Sequence, residues 1–145
     1  MIKQIDIGNL AEATELIKRV FLIYEAPDYE PEGVDEFMKF LNNKEELSTL
    51  TFWGEYIENK LVGVIATRSN GSHISLFFVD EKQQGKGIGR RLFNHVWNIS
   101  PTSMTVKASP YALDIYRHLG FEPTDTIQCV SGIKYIPMTK QKDTD

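Results

Sequence analysis

Cysteine occurs once in the 145-residue chain, at position 129, and histidine three times. One thiol cannot close an internal disulfide or furnish a cysteine-rich zinc site, so a reducing, cytoplasmic setting is expected. His95 and His118 have no neighbouring cysteine or paired histidine, and no metal site is expected. Cys129 falls in an apolar strand and reads as an inert buried thiol. No apolar run is long enough to span a bilayer, and the opening MIKQIDIGNL has no apolar signal-peptide core, so no membrane partner is expected. Repeats, low-complexity tracts and linkers are also missing. Residues 1–140 are therefore expected to form one domain, with a disordered polar tail at 141–145. Nothing in the sequence separates a monomer from a homodimer.

What the chain does have is an uneven distribution of charge. Its net charge of −4 argues against a nucleic-acid partner. Yet from Lys82 to Leu113 there are five bases and no acid, and from Val20 to Met38 six acids and no base. These stretches are either two solvated faces or one anion-binding and one cation-attracting region.

Residues 1–7 alternate as a half-buried strand does. Asn9 with Glu12 suggests a capping box, followed by a helix with apolar residues from Leu10 to Tyr24. Pro27 and Pro31 break that pattern, and a short helix is expected over Val34–Leu41. TFWGEYIENKLVGVIATRSNGSHISLFFV reads as three strands, with turns at Glu58-Asn59-Lys60 and Ser69-Asn70-Gly71. The third strand, Ile74–Val79, is apolar enough to be covered on both faces. An amphipathic helix with Ile88, Leu92, Phe93, Val96 and Trp97 on one side follows, then the strand TSMTVKA. Ser109-Pro110 suggests a helix start, and Gly120 its C′ position. TIQCVSG and IKYIPM close the chain as an antiparallel pair. The order β-α-α-β-β-β-α-β-α-β-β is a mixed α/β sheet with helices on its faces. Trp53 and Trp97 read as core or interface aromatics.

Between the third strand and its helix lies VDEKQQGKGIGRRLF, with glycines at 85, 87 and 89. Lys86 is followed by Gly87 rather than a hydroxyl residue, so the P-loop spacing fails. Arg90 stands where a dinucleotide fingerprint needs glycine, so that spacing fails as well. Both failures count against a nucleotide-binding module. The remaining pattern, Gln84-x-x-Gly87-x-Gly89 after a strand and before a helix, suits a pyrophosphate. Helix-start N–H groups lack intrahelical partners, and glycine lets an anion approach them. Arg90 and Arg91 can add charge-assisted contacts.

LFFVDEKQQGKGIGRRLF resembles the acyl-coenzyme A-binding segment of the GNAT superfamily of N-acetyltransferases. ASPYALDIYRHLGF, Ala108 to Phe121, resembles that family's next helix with its Y-x-x-x-G-F ending. The element order is similar too, so the resemblance covers most of the chain. It implies a GNAT-like fold with splayed central parallel strands, and acetyl-coenzyme A as cosubstrate. Its phosphates would lie on Gln84, Gly85, Lys86, Gly87, Ile88, Gly89 and Arg90. Its pantetheine arm would run along Phe77, Phe78 and Val79, with the Val79 N–H polarising the thioester carbonyl. Ser109 matches a cofactor-contacting asparagine of many relatives.

Acetyl transfer needs a neutral amine, donors for an oxyanion and stabilisation of the leaving thiolate. From spacing alone Tyr116 is a packing residue of its helix; the resemblance makes it the general acid. Neither HISLFFV nor SMTVKAS carries a carboxylate base. His73, Glu25 and Glu30 are the remaining candidates on the acceptor side. The acidic Val20–Met38 stretch would favour a cationic amine. The reading is an acetyl-coenzyme A-dependent N-acetyltransferase acting on a small-molecule or peptide amine. The alternative is a non-catalytic acyl-coenzyme A-binding sensor on the same fold.

Overall fold

A computed structural model describes residues 1–142. One mixed sheet runs β1 (Ile2–Ile5), β2 (Thr51–Ile57), β3 (Lys60–Arg68), β4 (His73–Val79), β5 (Met104–Ala108), β8 (Ile133–Lys140) and β6 (Glu122–Pro123), with β7 (Gln128–Val130) hairpinned onto β8. Every pairing is antiparallel except β4 with β5. α1 (Ala11–Tyr24) and α2 (Pro31–Leu41) cover one face, and α4 (Ile88–Ile99) and α5 (Leu113–His118) the other, giving two separate apolar cores. No helix among the described residues is long and apolar enough to cross a membrane. Residues 143–145 of the expected tail lie outside the described residues. Gln141 accepts from the Ser103 hydroxyl, and Lys142 sits over the Trp97 ring.

Local chemistry explains most boundaries. α1 turns its buried stripe of Ala13, Leu16, Ile17, Val20 and Phe21 onto the sheet. The expected Asn9–Glu12 capping box does not form. Leu10 is the N-cap, and Glu12 instead accepts the Leu61 N–H across the fold at 3.1 Å. α2 starts at Pro31, three residues before the expected Val34, because proline at a first helical position lacks only an N–H that has no partner there. A short α3 (Lys44–Leu47) was not foreseen; Asn43 Oδ1 caps it by accepting from the N–H groups of Glu45 and Glu46. At the β2–β3 turn Glu58 and Asn59 both hold positive φ, as a two-residue hairpin loop requires. After α5, Gly120 at φ +101° completes a C-terminal motif, with Phe121 N–H bonding to the Tyr116 carbonyl (3.0 Å).

β3, not β4, is the strand buried on both faces. β4 alternates buried and half-buried residues, so the expectation of two covered faces is corrected. Its neighbour on one side departs. β4 and β5 pair at His73–Thr105 and Ile74–Val106 and then part. Against β3, Ala66 faces Leu76 and Thr67 faces Ile74, which leaves Ser75 as an extra, bulged residue. A bulge bends its strand, and here it falls where the parallel pair splits.

Candidate active site

The split opens a cleft of about 1000 Å³. Phe77, Phe78 and Val79 of β4 line it, as do Gln84, Gly85, Gly87, Ile88, Gly89, Arg90, Ser109, Tyr116, Glu25 and His73. Asp80 N–H donates to the Val62 carbonyl of β3 at 2.8 Å. Strand alternation therefore turns the N–H groups of Val79 and Phe77 toward the opposite edge, into the gap. The Val79 carbonyl faces the same way and accepts from Gln84 Nε2 at 3.2 Å.

The glycine turn forms one mouth. Gly85 and Gly87 hold φ of +81° and +82°, and Gly87 is the N-cap of α4. Arg91 N–H is bonded back to the Gly87 carbonyl (3.0 Å), so the N–H groups of Ile88, Gly89 and Arg90 have no helical partner. A Cβ added at Gly89 would meet Phe77 and Val79 at ordinary distances of 3.5 and 3.6 Å. Packing does not demand glycine there, and a methyl would project toward the cleft strand. The residues thus fit a pyrophosphate with an arm running along β4. The basic residues divide. Arg90 lines the cleft, with Nη2 near the His118 carbonyl (3.3 Å). Arg91 is committed to Glu55, Nε to Oε1 at 2.8 Å, which corrects its expected role toward the anion. Lys86 reaches back to Gln83 Oε1 (3.2 Å) and is not among the lining residues.

The middle of the cleft brings Glu25 and Tyr116 together. Tyr116 projects from α5, buried, with Phe121 edge-on at 5.4 Å and Phe77 at 6.0 Å. Burial, and then the charge of Glu25, push its phenol far above the usual range. Glu25 caps the C-terminus of α1, and a Tyr24–Tyr111 stack at 4.9 Å holds that end against the loop before α5. Burial raises the Glu25 carboxyl to about 7; the Ser109 hydroxyl works against this and Asp28 adds to it. Ser109 Oγ also accepts the Ala112 N–H at 3.2 Å in a turn ahead of the helix; α5 itself begins at Leu113 with Ala112 as its N-cap, which corrects the expected start at Ser109-Pro110.

His73 lies at the closed end of the split, its Nδ1 2.8 Å from Thr105 Oγ1. Burial lowers it to about 4, helped by Arg68 and Lys107, so it is neutral at pH 7 and a weak base. Glu30 is an exposed N-cap of α2 outside the lining. Of the six acids between Val20 and Met38, Glu25 and Glu36 reach the cleft, and Glu46 of α3 joins them. Sequence reading missed Glu46 because it missed α3. It also missed Tyr29, Phe37 and Phe40, which line the same side; the aromatic spacing on α2 was the only signal for Phe37 and Phe40, and Tyr29, in the turn before α2, had none. Ser75 was missed too, since nothing in HISLFFV marks a bulge. Trp53 packs on His95 (4.3 Å) and Trp97 on Phe93 (5.9 Å). Cys129 is exposed, which corrects its reading as a buried thiol, because β7 pairs only with β8 at the edge of the fold.

Comparison with known proteins follows this geometry. A family model described as "Acetyltransferase (GNAT) domain" matches residues 25–142. A Rhodopseudomonas palustris structure described as a GCN5-related N-acetyltransferase superposes with TM-score 0.84 at 16% identity, covering 98% of this chain and 95% of that one. The PaiA N-acetyltransferase of Thermoplasma acidophilum, solved in complex with coenzyme A, superposes with TM-score 0.79 at 17% identity, covering 98% of each chain. The aminoglycoside 6'-N-acetyltransferase of Enterococcus faecium gives TM-score 0.64 at 12% identity, over 100% of this chain and 99% of that one. No curated protein sequence matches the chain.

Proposed function

The chain belongs to the GNAT acetyltransferase family, and from that premise we propose that it moves an acetyl group from acetyl-coenzyme A to a primary amine by direct attack in a ternary complex. The observation that carries this reading is the parting of β4 from β5 at Ser75. It leaves one continuous cleft with anion donors at one mouth and Glu25 beside Tyr116 within.

Acetyl-coenzyme A supplies an activated acyl carbonyl and a thiolate leaving group. The N–H groups of Ile88, Gly89 and Arg90 are the donors for its pyrophosphate, and the Arg90 guanidinium adds charge. The gap-facing N–H groups of Val79 and Phe77 are placed to bind the pantetheine arm and the carbonyl oxygen, where negative charge develops. Glu25, as carboxylate, takes the proton that the ammonium must lose before attack; a base near 7 is matched to that task. After the C–N bond forms the attacking nitrogen gives up its second proton and the departing thiolate takes up one, leaving as the free thiol, while the proton held by Glu25 passes to solvent. Tyr116 stays protonated at every working pH and donates a hydrogen bond to the leaving sulfur. Ser109 orients Glu25.

Glu25, Glu36 and Glu46 on the helical side support a cationic acceptor, as either a small molecule or a peptide end. Glu25 also answers the missing strand carboxylate that favoured a non-catalytic sensor. A panel of primary amines, with coenzyme A release as the readout, tests the reading. Amine-dependent release is expected. Tight acetyl-coenzyme A binding without release for any amine would return the chain to the sensor class.

A further inference from the structure

We propose that the amine acceptor also carries a carboxylate, remote from the nitrogen that is acetylated, and that Arg68 and Lys107 bind it at the closed end of the split. The inference rests on the acetyl-transfer reading above and names the class of acceptor.

Register puts the two cations on one face. Arg68 stands directly opposite His73 in the β3–β4 pair, and directly opposed residues share a face. His73 Nδ1 lies 2.8 Å from Thr105 Oγ1, and Lys107 is two residues further along β5, on the same side as Thr105. Ile74 and Val106, between them, belong to the core under α4 and α5. Arg68, His73 and Lys107 therefore face the α1–α2 side, where the acceptor enters. The bulge makes this possible. Leu76 and Phe78 belong to the α1–α2 core, and without the extra Ser75 strand alternation would send Ile74 after them and turn His73 away. Arg68, His73, Ser75 and Lys107 all line the cleft.

Neither cation is neutralised. Arg19, Arg91 and Arg117 each have a carboxylate partner, and among the described residues no carboxylate pairs with Arg68 or Lys107. Lys107 Nζ sits 5.0 Å over the Tyr135 ring, which holds an ammonium in place without cancelling its charge. Both cations are close enough to His73 to add to the burial that lowers its pKa. Ser75 Oγ is buried with no hydrogen-bond partner among the described residues, and a hydroxyl in that condition calls for one. Two uncompensated cations and an unused O–H in one cleft wall are a donor set for a carboxylate.

Coenzyme A is not their partner. Its phosphate donors lie past Val79, six residues along β4 from His73, roughly 20 Å at about 3.3 Å per residue. The Phe77 N–H, which faces the thioester, is four residues from His73, roughly 13 Å on the same scale. Long side chains at 68 and 107 shorten that span. A carboxylate several bonds from the amine bridges it, and the carboxylate of an α-amino group does not. Glu36 and Glu46 line the helical wall, so an acceptor bearing both signs of charge meets a complement for each.

The amines ε-aminocaproate, ε-aminocaproamide and cadaverine differ only at the end away from the reacting nitrogen. Wild type should favour the acid over the amide by about tenfold in kcat/KM, the difference falling on KM. Arg68→Gln and Lys107→Gln replace exposed side chains, and thermal melts establish that the double variant is folded. Together they should erase the preference at unchanged acetyl-coenzyme A affinity. They should also raise kcat/KM for cadaverine, whose far ammonium the two cations no longer repel. Acid and amide used alike by wild type, or a preference that survives in the folded double variant, overturns the carboxylate site and leaves acetyl transfer standing on any amine that releases coenzyme A. The wild-type comparison decides even without a variant. Release with no amine at all, while acetyl-coenzyme A still binds, overturns acetyl transfer itself and this inference with it.

Discussion

Glu25 and Tyr116 come from opposite faces of the sheet and meet because the sheet is split between them. Their neighbourhood sets their chemistry. Tyr116→Phe removes only the hydroxyl from a ring packed between Phe77 and Phe121. Turnover should fall about 10²-fold with acetyl-coenzyme A affinity unchanged, read by steady-state kinetics and calorimetry. Unchanged turnover would remove Tyr116 from the chemistry. Glu25 is raised from 4.5 to about 7, so wild-type kcat/KM should climb as pH rises through 7, and Glu25→Gln should lose that limb. The same shift bears on stability. Between 4.5 and 7 the native state holds a proton that the unfolded state has released, so stability falls with rising pH across that window. Glu25→Gln should therefore melt above wild type at pH 8 and level with it near pH 4. Tyr116 stood out in the sequence through Y-x-x-x-G-F, whereas Glu25 was one of three acceptor-side candidates with Glu30 and His73; tertiary structure, not spacing, separates it from Glu30.

Among elements, the turn before α4 and the bulge in β4 carry the site. The turn was legible because its glycines have a local cause, two positive-φ positions and an exposed helix start. The fate of its cations was not, since Arg91 turns to Glu55, a partner distant in sequence. The bulge was illegible, because a bulged strand keeps its apolar composition and changes only its register against β3. α3 was hidden for another reason: four residues are too few to show a helical period. Gly89→Ala tests the turn. Alanine suits a first helical turn and has room, so the melting temperature should hold or rise. Its methyl stands between the N–H donors and β4, so acetyl-coenzyme A should bind about tenfold more weakly. Undiminished affinity would move the phosphates elsewhere.

At the scale of the whole molecule, the charge asymmetry resolves into geometry. Of the basic run Arg90 and Lys107 line the cleft, and of the acidic run Glu25 and Glu36 do. The sequence pattern foretold the order of elements apart from α3 and the two-residue β6, and it foretold the apolar faces of α1 and α4. It could not foretell that α2 would meet the β7–β8 turn, because Gly33 and Gly132 reveal close approach only when the chain brings them together. Neutralising Glu36 and Glu46 together should raise KM for a diamine several-fold more than for a monoamine of equal length, as measured at low ionic strength. Equal changes for both would take these acids out of recognition. The most direct test of the account is mass spectrometry after incubation with isotopically labelled acetyl-coenzyme A, with and without a small amine. The account predicts label in an amide of the amine, with none on the protein, the exposed Cys129 included, when amine is absent. A stoichiometric acyl-protein formed without amine, or label that never leaves coenzyme A, would contradict it.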